Sequence, residues 1–295
     1  MVQRISIVGA GGKMGSWFLN YFLRKPATKV LVYDVKTLSK LPANVTQCVS
    51  VASCVKDADL VLVCVPIIVA PYVVKQCASK MKSGAILAEI SSIKTRTYTI
   101  LKKYSKKIFP LCIHPMFGPG ASHIGDTRII LIPVKNQKRE LKMVRTLMRG
   151  AEIIVLPNSH IHDKYMAIML GLTYYANIIL ANLISTEDIL YMEKIAGTFF
   201  RIQLLLIQGI LSDDLGLIVS IISENTYTRK YISDFLGEAD RLRNIIDARK
   251  GNEFMRDLAN VKSIFQQGSD LHMSYRQLYA IFTSLKEKIK KSYEL

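Results

Sequence analysis

Cysteine is scarce in this chain of 295 residues, which has five cysteines in all. They stand at positions 48, 54, 64, 77 and 112, an odd number with no Cys-x-x-Cys pair among them. This pattern argues against a disulfide framework and against a zinc site built from cysteines. We expect buried, reduced thiols and no bound metal.

Long hydrophobic runs are also missing, although half of the residues are hydrophobic. No uninterrupted apolar run reaches the roughly 18 residues that a membrane-spanning helix needs. Arg201 and the pair Glu187-Asp188 interrupt the two most apolar stretches. The strand-like segment at residues 4–8 opens the chain without the charged and apolar regions of a signal peptide. We therefore expect a cytoplasmic protein without a membrane partner.

Acidic residues are few in the first half of the chain. Residues 1–150 contain 6 acidic and 24 basic residues, a net charge of +18, whereas residues 151–295 contain 17 acidic and 16 basic residues. A basic surface can attract nucleic acid, but the lysine runs at 102–107 and 135–142 fall on predicted outer helices and loops, where such runs are typically solvated. We expect no nucleic-acid partner and a positive field that steers small anions.

Proline is absent after Pro157, and from there to the end the apolar spacing is helical. The spacing predicts helices over 162–185, 187–211, 214–225, 228–249, 251–266 and 272–292. The first two are apolar nearly all round, so we expect them to be buried in a core and in a subunit interface.

The first 135 residues alternate β-branched runs with amphipathic helical patterns. Strands are predicted over 3–8, 29–34, 60–65, 85–90, 108–113 and 129–134. Strands that alternate with helices indicate right-handed parallel βαβ units, and hence an α/β fold with a doubly wound parallel sheet. The sequence predicts a dinucleotide-binding domain over residues 1–157 and an all-helical domain over residues 158–295.

A glycine-rich loop follows the first predicted strand. Its glycines permit a tight turn and let backbone N–H groups approach a pyrophosphate at the N-terminus of the next helix. The spacing Gly-x-Gly-x-x-x-Gly is one residue longer than the usual fingerprint. An acid about 20 residues beyond such glycines is placed to hydrogen-bond the ribose hydroxyls, and its charge repels a 2′-phosphate, which favours NAD over NADP. The predicted cofactor contacts are Gly9, Gly11, Gly12, Lys13, Met14, Asp34, Val65 and Pro66, although Val65-Pro66 is equally consistent with a simple end of a strand.

Two polar side chains stand where neighbouring strands end, at the sheet edge at which such folds bind ligands. His114 follows the strand at 108–113, and Ser92 follows the strand at 85–90. They can form a pair in which the serine hydroxyl orients the imidazole and the imidazole takes a proton. The alternatives are a structural histidine and a serine that caps a helix.

These residues lie in segments that resemble one known family. His114-Pro115-Met116-Phe117-Gly118-Pro119 resembles the HPMFGP signature of the prephenate dehydrogenase family. The glycine loop, Glu89–Lys94, His162-Asp163 and Gly171-Leu172-Thr173 resemble further blocks of that family, in matching order from about residue 3 to 265. The resemblance implies a Rossmann-type domain followed by an all-helical dimerisation domain, and a homodimer. It implies that NAD is reduced while prephenate is oxidatively decarboxylated to 4-hydroxyphenylpyruvate, on the route to tyrosine.

The substrate-binding side departs from the family pattern. Prephenate carries two carboxylates, which a bidentate arginine binds best. The family arginine falls on Gly209 here, and a family histidine falls on Tyr174, which donates a hydrogen bond but carries no positive charge. With the family arginine absent, we expect Arg201 to bind the substrate instead, together with Tyr174 and His162, and Lys13 and Arg128 are other sources of positive charge. Arg201 is equally consistent with a structural ion pair.

Three other functions remain open at this point. An arogenate dehydrogenase or another NAD(P)-dependent oxidoreductase of the superfamily has the same glycine loop and the same acid. A degenerate, NAD-binding regulator is favoured by the departures at Gly209 and Tyr174. The catalytic residues expected for the enzyme are His114 and Ser92.

Overall fold

The computed structural model of the chain describes residues 2–24 and 29–293. Their contacts form two compact units, one of Met1–Gly171 with Leu215–Thr228 and the other of Leu172–Asp214 with Arg229–Leu295. The first unit therefore continues beyond residue 157 and includes a later helix. The boundary at residues 157 and 158 comes directly after the last strand of the sheet and stays a prediction.

The first unit contains an eight-stranded sheet in the described residues. Its strands are β1 Arg4–Val8, β2 Lys29–Tyr33, β3 Val45–Gln47, β4 Leu60–Val63, β5 Ile86–Glu89, β6 Phe109–Pro115, β7 Arg128–Ile132 and β8 Glu152–Val155. The spatial order is β3-β2-β1-β4-β5-β6-β7-β8, and every neighbouring pair is parallel except β6 with β7. The order reverses between β1 and β4, which is where such sheets bind dinucleotides.

The predicted α/β fold is confirmed, with two strands added and one direction changed. β3 has three residues and β8 four, both at edges of the sheet, and the sequence pattern predicts neither. β7 runs antiparallel to β6 because residues 116–127 return the chain through a loop, without the helical crossover that a parallel pair requires.

Helices cover both faces of this sheet. In the first unit they are α1 Lys13–Leu23, α2 Val51–Val55, α3 Ala70–Lys80, α4 Thr95–Tyr104, α5 Gln137–Leu147, α6 Ser159–Met166 and α10 Leu215–Ser223. Helix α1 is amphipathic and buries Phe18 and Phe22 completely against one face. Burial of each of these rings contributes roughly 1.5–3 kcal/mol, so the apolar spacing of α1 fixes the helix that follows the glycine loop.

The second unit is all-helical in the part of the chain that the structure describes. Its helices are α7 Thr173–Ile184, α8 Ile189–Ile195, α9 Thr198–Leu211, α11 Thr228–Asp247, α12 Gly251–Gln266 and α13 Leu271–Tyr293. The helix predicted over 187–211 is interrupted, because Gly197 is the N-cap of α9. Leu190, Phe199 and Leu206, expected to be buried, are exposed in the single chain.

A π-helical segment, Ala167–Leu172, joins α6 to α7. The resulting helical run Ser159–Ile184 is long and apolar enough to cross a membrane by length and composition alone, contrary to the expectation from the sequence. Core helices of water-soluble proteins meet the same criterion. The first turns of this run contain buried His162 and Asp163, both hydrogen-bonded within the first unit.

Candidate active site

The glycine loop is tightly enclosed by its neighbours. Gly9 has φ +88°, a conformation that favours glycine, and a Cβ there would overlap the carbonyl oxygen of Cys64 at the end of β4. A Cβ on Gly15 would overlap the Gly9 carbonyl oxygen. Glycine at both positions therefore lets α1 start close to β1 and β4, as a dinucleotide loop requires.

The start of α1 suits a bound anion. Its N-cap is Gly12, which has no side chain to cap the helix, and the first turn contains no acidic residue. Gly11, Gly12 and Lys13 are exposed, while Met14 is half-buried. Backbone N–H groups and the helix dipole at such an end stabilise phosphate groups.

Asp34 lies beside this loop, directly after β2. One carboxylate oxygen accepts a hydrogen bond from the Gly11 N–H at 2.8 Å, and the other accepts one from the Lys36 N–H at 3.1 Å. Val65 lies next to the loop as well, with its Cγ1 atom 2.9 Å from the position a Cβ would take on Gly9. Pro66 follows and is exposed. The geometry fits a dinucleotide, because the loop is exposed at Gly11 and Gly12 and the Asp34 carboxylate lies beside it.

His114 lies near the end of β6 and is 5% exposed. Its Nδ1 atom is 3.0 Å from Nε2 of His162, and Nδ1 of His162 is 2.8 Å from a carboxylate oxygen of Asp163. The three side chains form a continuous chain of hydrogen bonds from β6 to α6. Among residues 2–24 and 29–293, no hydrogen bond from a protein atom to Nε2 of His114 is found.

The other partners of Asp163 fix the direction of this chain. Its carboxylate accepts hydrogen bonds from the Lys94 N–H at 2.8 Å, from the Thr95 N–H at 2.9 Å and from the Thr95 hydroxyl at 2.6 Å. These groups are donors, so the carboxylate is ionised and also accepts the proton on Nδ1 of His162. Neutral His162 then accepts at Nε2 from the Nδ1–H of His114. Nε2 of His114 is left with a free lone pair.

The pKa directions agree with this assignment. Burial opposes the charge on Asp163, but hydrogen bonds from His162, Thr95 and Lys94 outweigh it and lower the pKa of the carboxyl. Burial, His162 and the Lys94 ammonium hold the pKa of His114 well below its usual value. Burial also lowers the pKa of His162, although Asp163 acts in the opposite direction. Both imidazoles are therefore neutral at pH 7, with ionised Asp163 behind them.

A buried ion pair lies next to the two histidines. The ammonium of Lys94 is 2.7 Å from the Glu89 carboxylate, and the two side chains are 0% and 1% exposed. The ammonium also donates to the carbonyl oxygen of Ile113, which immediately precedes His114. The second Glu89 oxygen accepts a hydrogen bond from the Ser91 N–H at 3.1 Å.

Ser92 does not form the hydrogen bond to His114 that the sequence predicts. Nδ1 of His114 bonds His162, and no Ser92–His114 hydrogen bond is found in the described residues. Lys94, rather than Ser92, is the N-cap of α4. The imidazole is therefore oriented by His162, a residue distant in sequence for which the sequence predicts only substrate binding.

His162 is fully buried between Asp163 and His114. Its two ring nitrogens already have protein partners, so it is placed to act through His114 rather than on a ligand directly. Arg128, suggested as a source of positive charge, pairs with Glu152 at 2.9 Å on an exposed surface.

Tyr174 and Arg201 lie in the second unit. The Tyr174 hydroxyl donates to Asp213 at 3.0 Å, and burial together with this carboxylate raises the pKa of Tyr174 to about 12. The Arg201 guanidinium donates to the Glu193 carbonyl oxygen at 3.4 Å, and its buried Nε atom has no hydrogen-bond partner among the described residues. Each remains a predicted substrate contact. At Gly209, where the family arginine falls, the space around a Cβ is open, with no atom within 4 Å.

Sequence reasoning missed five residues of the site. Asp163, Lys94 and Glu89 stand within the family-like segments but received no role, and Thr95 was overlooked. Asn225 lies outside those segments, and its amide donates to the Asp163 carbonyl oxygen at 2.7 Å. The signal available in the sequence for Asp163 is its place directly after His162, at the start of a predicted apolar helix. No local pattern points to Asn225.

The described residues contain no cluster of three or more histidine, cysteine or acidic side chains that would hold a metal. All five cysteines are free, and those at 54, 77 and 112 are buried.

Comparisons with known proteins find two domain matches along the chain. Residues 21–155 match the prephenate dehydrogenase nucleotide-binding domain, and residues 158–260 match the prephenate dehydrogenase dimerization domain. A probable arogenate/prephenate dehydrogenase of Methanocaldococcus jannaschii is 26% identical, over 97% of this chain and 67% of that protein.

Solved structures agree on the fold. A prephenate dehydrogenase from A. aeolicus, in complex with hydroxyphenyl propionate and NAD⁺, has a TM-score of 0.70 at 19% identity and covers 91% of this chain and 99% of its own. An arogenate dehydrogenase from Synechocystis has a TM-score of 0.67 at 16% identity and covers 90% and 100%. With both domain matches along its length, the chain belongs to the prephenate dehydrogenase family.

Proposed function

We propose that this chain is an NAD-dependent dehydrogenase that converts prephenate to 4-hydroxyphenylpyruvate with loss of carbon dioxide. One observation carries the proposal. The chain Asp163–His162–His114 ends in an imidazole nitrogen with a free lone pair, at the sheet edge where the dinucleotide fold binds its ligands. The family membership and the A. aeolicus relative with NAD⁺ bound support the choice of cofactor.

The glycine loop and Asp34 hold the dinucleotide in this proposal. Backbone N–H groups at the start of α1 bind the pyrophosphate, and Asp34 exchanges its bond to the Gly11 N–H for the ribose hydroxyls. The carboxylate repels a 2′-phosphate, which favours NAD over NADP. When bound, NAD supplies the hydride acceptor.

His114 manages the proton of the substrate hydroxyl. Its Nε2 lone pair accepts a hydrogen bond from the 4-hydroxyl and takes the proton as the ring carbon is oxidised. The Nδ1–H bond to His162 keeps the lone pair on Nε2, and the negative charge of Asp163 stabilises the imidazolium that forms. Loss of carbon dioxide makes the product ring aromatic, so the protein mainly positions the reactants.

The substrate is a small dianion, and the chain offers cations for it. Arg201 is the proposed carboxylate partner, since its Nε is buried and has no hydrogen bond to the described residues. Tyr174 is a proposed neutral donor, which would exchange its bond to Asp213 for one to the substrate. The basic first half of the chain, +18 over residues 1–150, adds a field that attracts the cofactor and the substrate. The proposed enzyme is a cytoplasmic homodimer, which the match to the dimerization domain and the exposed apolar side chains of α8 and α9 support.

The direct test is a turnover assay of the purified full chain with NAD and prephenate, and with NAD and arogenate in parallel. With prephenate we expect NADH, measured by its absorbance, and carbon dioxide to form in equal amounts. If only arogenate is turned over, prephenate is the wrong substrate, but the proposed class of reaction is still correct. If neither substrate reacts although NAD binds, the chain is a degenerate member of the family.

A further inference from the structure

Lys94 bonds Asp163 at one end of the histidine chain and the backbone beside His114 at the other. Its main-chain N–H donates to Asp163 at 2.8 Å, and its side-chain ammonium donates to the carbonyl oxygen of Ile113, next to His114. One residue thus joins the acidic end of the chain, on α6, to the strand that presents the imidazole. Nothing else in the segment that follows β5 makes both contacts, within the described residues.

The ammonium of Lys94 is also a charge without access to water. Its side chain is 0% exposed, and its ionic partner Glu89 is 1% exposed. Charges in such surroundings act more strongly on their neighbours than charges in water, because solvent screens them less. Glu89 neutralises part of this field, but the ammonium still opposes protonation of both His114 and His162.

The groups that face the two imidazoles come from every element packed against them. They are Glu89 from β5, Lys94 from the segment before α4, Cys112 from β6 and Asp163 from α6, while β7 places apolar Ile130 opposite His114. Burial raises the pKa of the Cys112 thiol well above its usual value, so this group is neutral. Burial is the largest cause of the lowered pKa of both histidines, and Lys94, Glu89 and Asp163 are the charged groups that add to it or oppose it.

We propose that Lys94 is a positioning residue for His114: its main-chain N–H holds Asp163, its ammonium holds the Ile113 carbonyl beside His114, and its buried positive charge adds to burial in keeping the resting imidazole neutral. A neutral imidazole is needed because an imidazolium has no lone pair to accept the substrate proton. The claim that this arrangement helps catalysis rests on the proposed function, whereas the effect of Lys94 on the protonation of His114 does not. Lys94, rather than Ser92, is therefore the residue of this segment that prepares the base.

The test is a pH titration of the histidine ring signals by NMR, on the full chain with isotope-labelled histidine. The Lys94→Met variant removes the cation and leaves an apolar side chain of similar length. We expect His114 to titrate about one pH unit higher in the variant, a roughly tenfold rise in proton affinity. The variants His114→Asn and His162→Asn assign the two signals, since each removes one of them.

Lys82→Met is the matched control. Lys82 forms an ion pair of 2.6 Å with Asp59, but its side chain is 46% exposed and solvent screens the charge. We expect no shift of His114 in this variant. An identical His114 titration in the Lys94→Met variant and the natural chain would overturn the proposal.

Loss of Lys94 leaves Glu89 buried without its partner, so the single variant can fail to fold. The double variant Lys94→Met with Glu89→Gln removes both charges, and we expect the same direction of shift from it. Because the titration needs no substrate, it is independent of the turnover assay. If neither prephenate nor arogenate is turned over, the proposed function is wrong, and the shift in the His114 titration is unaffected by that failure.

Discussion

Replacing His114 with asparagine is expected to lower kcat by roughly 10²–10⁴-fold, the usual contribution of a general acid–base group. The amide can keep a hydrogen bond to His162 and can still contact a substrate hydroxyl. It cannot take the proton, because an amide is not a base in this pH range. The measurement is steady-state turnover with the preferred substrate, together with NAD binding by calorimetry.

His123→Asn is the matched control for this substitution. His123 lies in the loop after β6, is 58% exposed and has only a 3.4 Å contact with Asp126. We expect its turnover to equal that of the natural chain. Unchanged turnover in the His114→Asn variant would show that His114 does not have its proposed role. A loss of NAD binding would show that the substitution damages cofactor binding and not only the proton transfer.

The second large effect is expected from Asp163→Asn. The carboxylate accepts four hydrogen bonds, and an amide has one oxygen to replace two. If that oxygen keeps the two Thr95 donors, the NH₂ group faces Nδ1 of His162 and forces the proton to Nε2. His162 then donates to Nδ1 of His114, whose own proton moves to Nε2, and the lone pair for the substrate is lost.

We expect this variant to lose on the order of 10³–10⁴-fold in kcat, since the corresponding tautomer error costs a serine protease about 10⁴-fold. Asp126→Asn is the control, because Asp126 also pairs with a histidine but is 87% exposed. Circular dichroism and NAD affinity report whether the Asp163→Asn variant is folded. A folded variant with full turnover would contradict the proposed hydrogen-bond chain.

The features that sequence predicts well are those encoded within a short stretch. The glycine loop, the acid at Asp34 and the apolar face of α1 lie within one βαβ unit, where spacing alone fixes their relation. His114 is in the same class, because it directly follows a strongly apolar strand. The structure confirms this fold, and it places Asp34 against Gly11 at 2.8 Å.

The partners of His114 could not be predicted in this way. Ser92 follows the end of the neighbouring strand, so the sequence favours it as the residue that orients the imidazole. The actual partner, His162, is 48 residues away on a helix that packs on the sheet edge. Asn225 is 62 residues beyond Asp163. Such contacts depend on how the helices pack, which periodicity does not encode.

The short edge strands β3 and β8 were missed for a different reason. β3 has three residues and only one of them is apolar. β8 contains apolar Ile153–Val155, but it has only four residues and alternates exposed with half-buried side chains, as no buried strand does. Their pairing is set by the strands beside them. The antiparallel turn from β6 to β7 likewise follows from the loop between them, which a pattern of strands and helices cannot orient.

The central claim is that ionised Asp163 fixes both histidine tautomers and leaves Nε2 of His114 as an open proton acceptor. Nitrogen-15 NMR of the histidine rings in the full chain measures these tautomers directly at neutral pH. We predict a proton on Nδ1 and none on Nε2 for both His114 and His162. A proton on Nε2 of His114, in a neutral or a charged ring, would contradict the account.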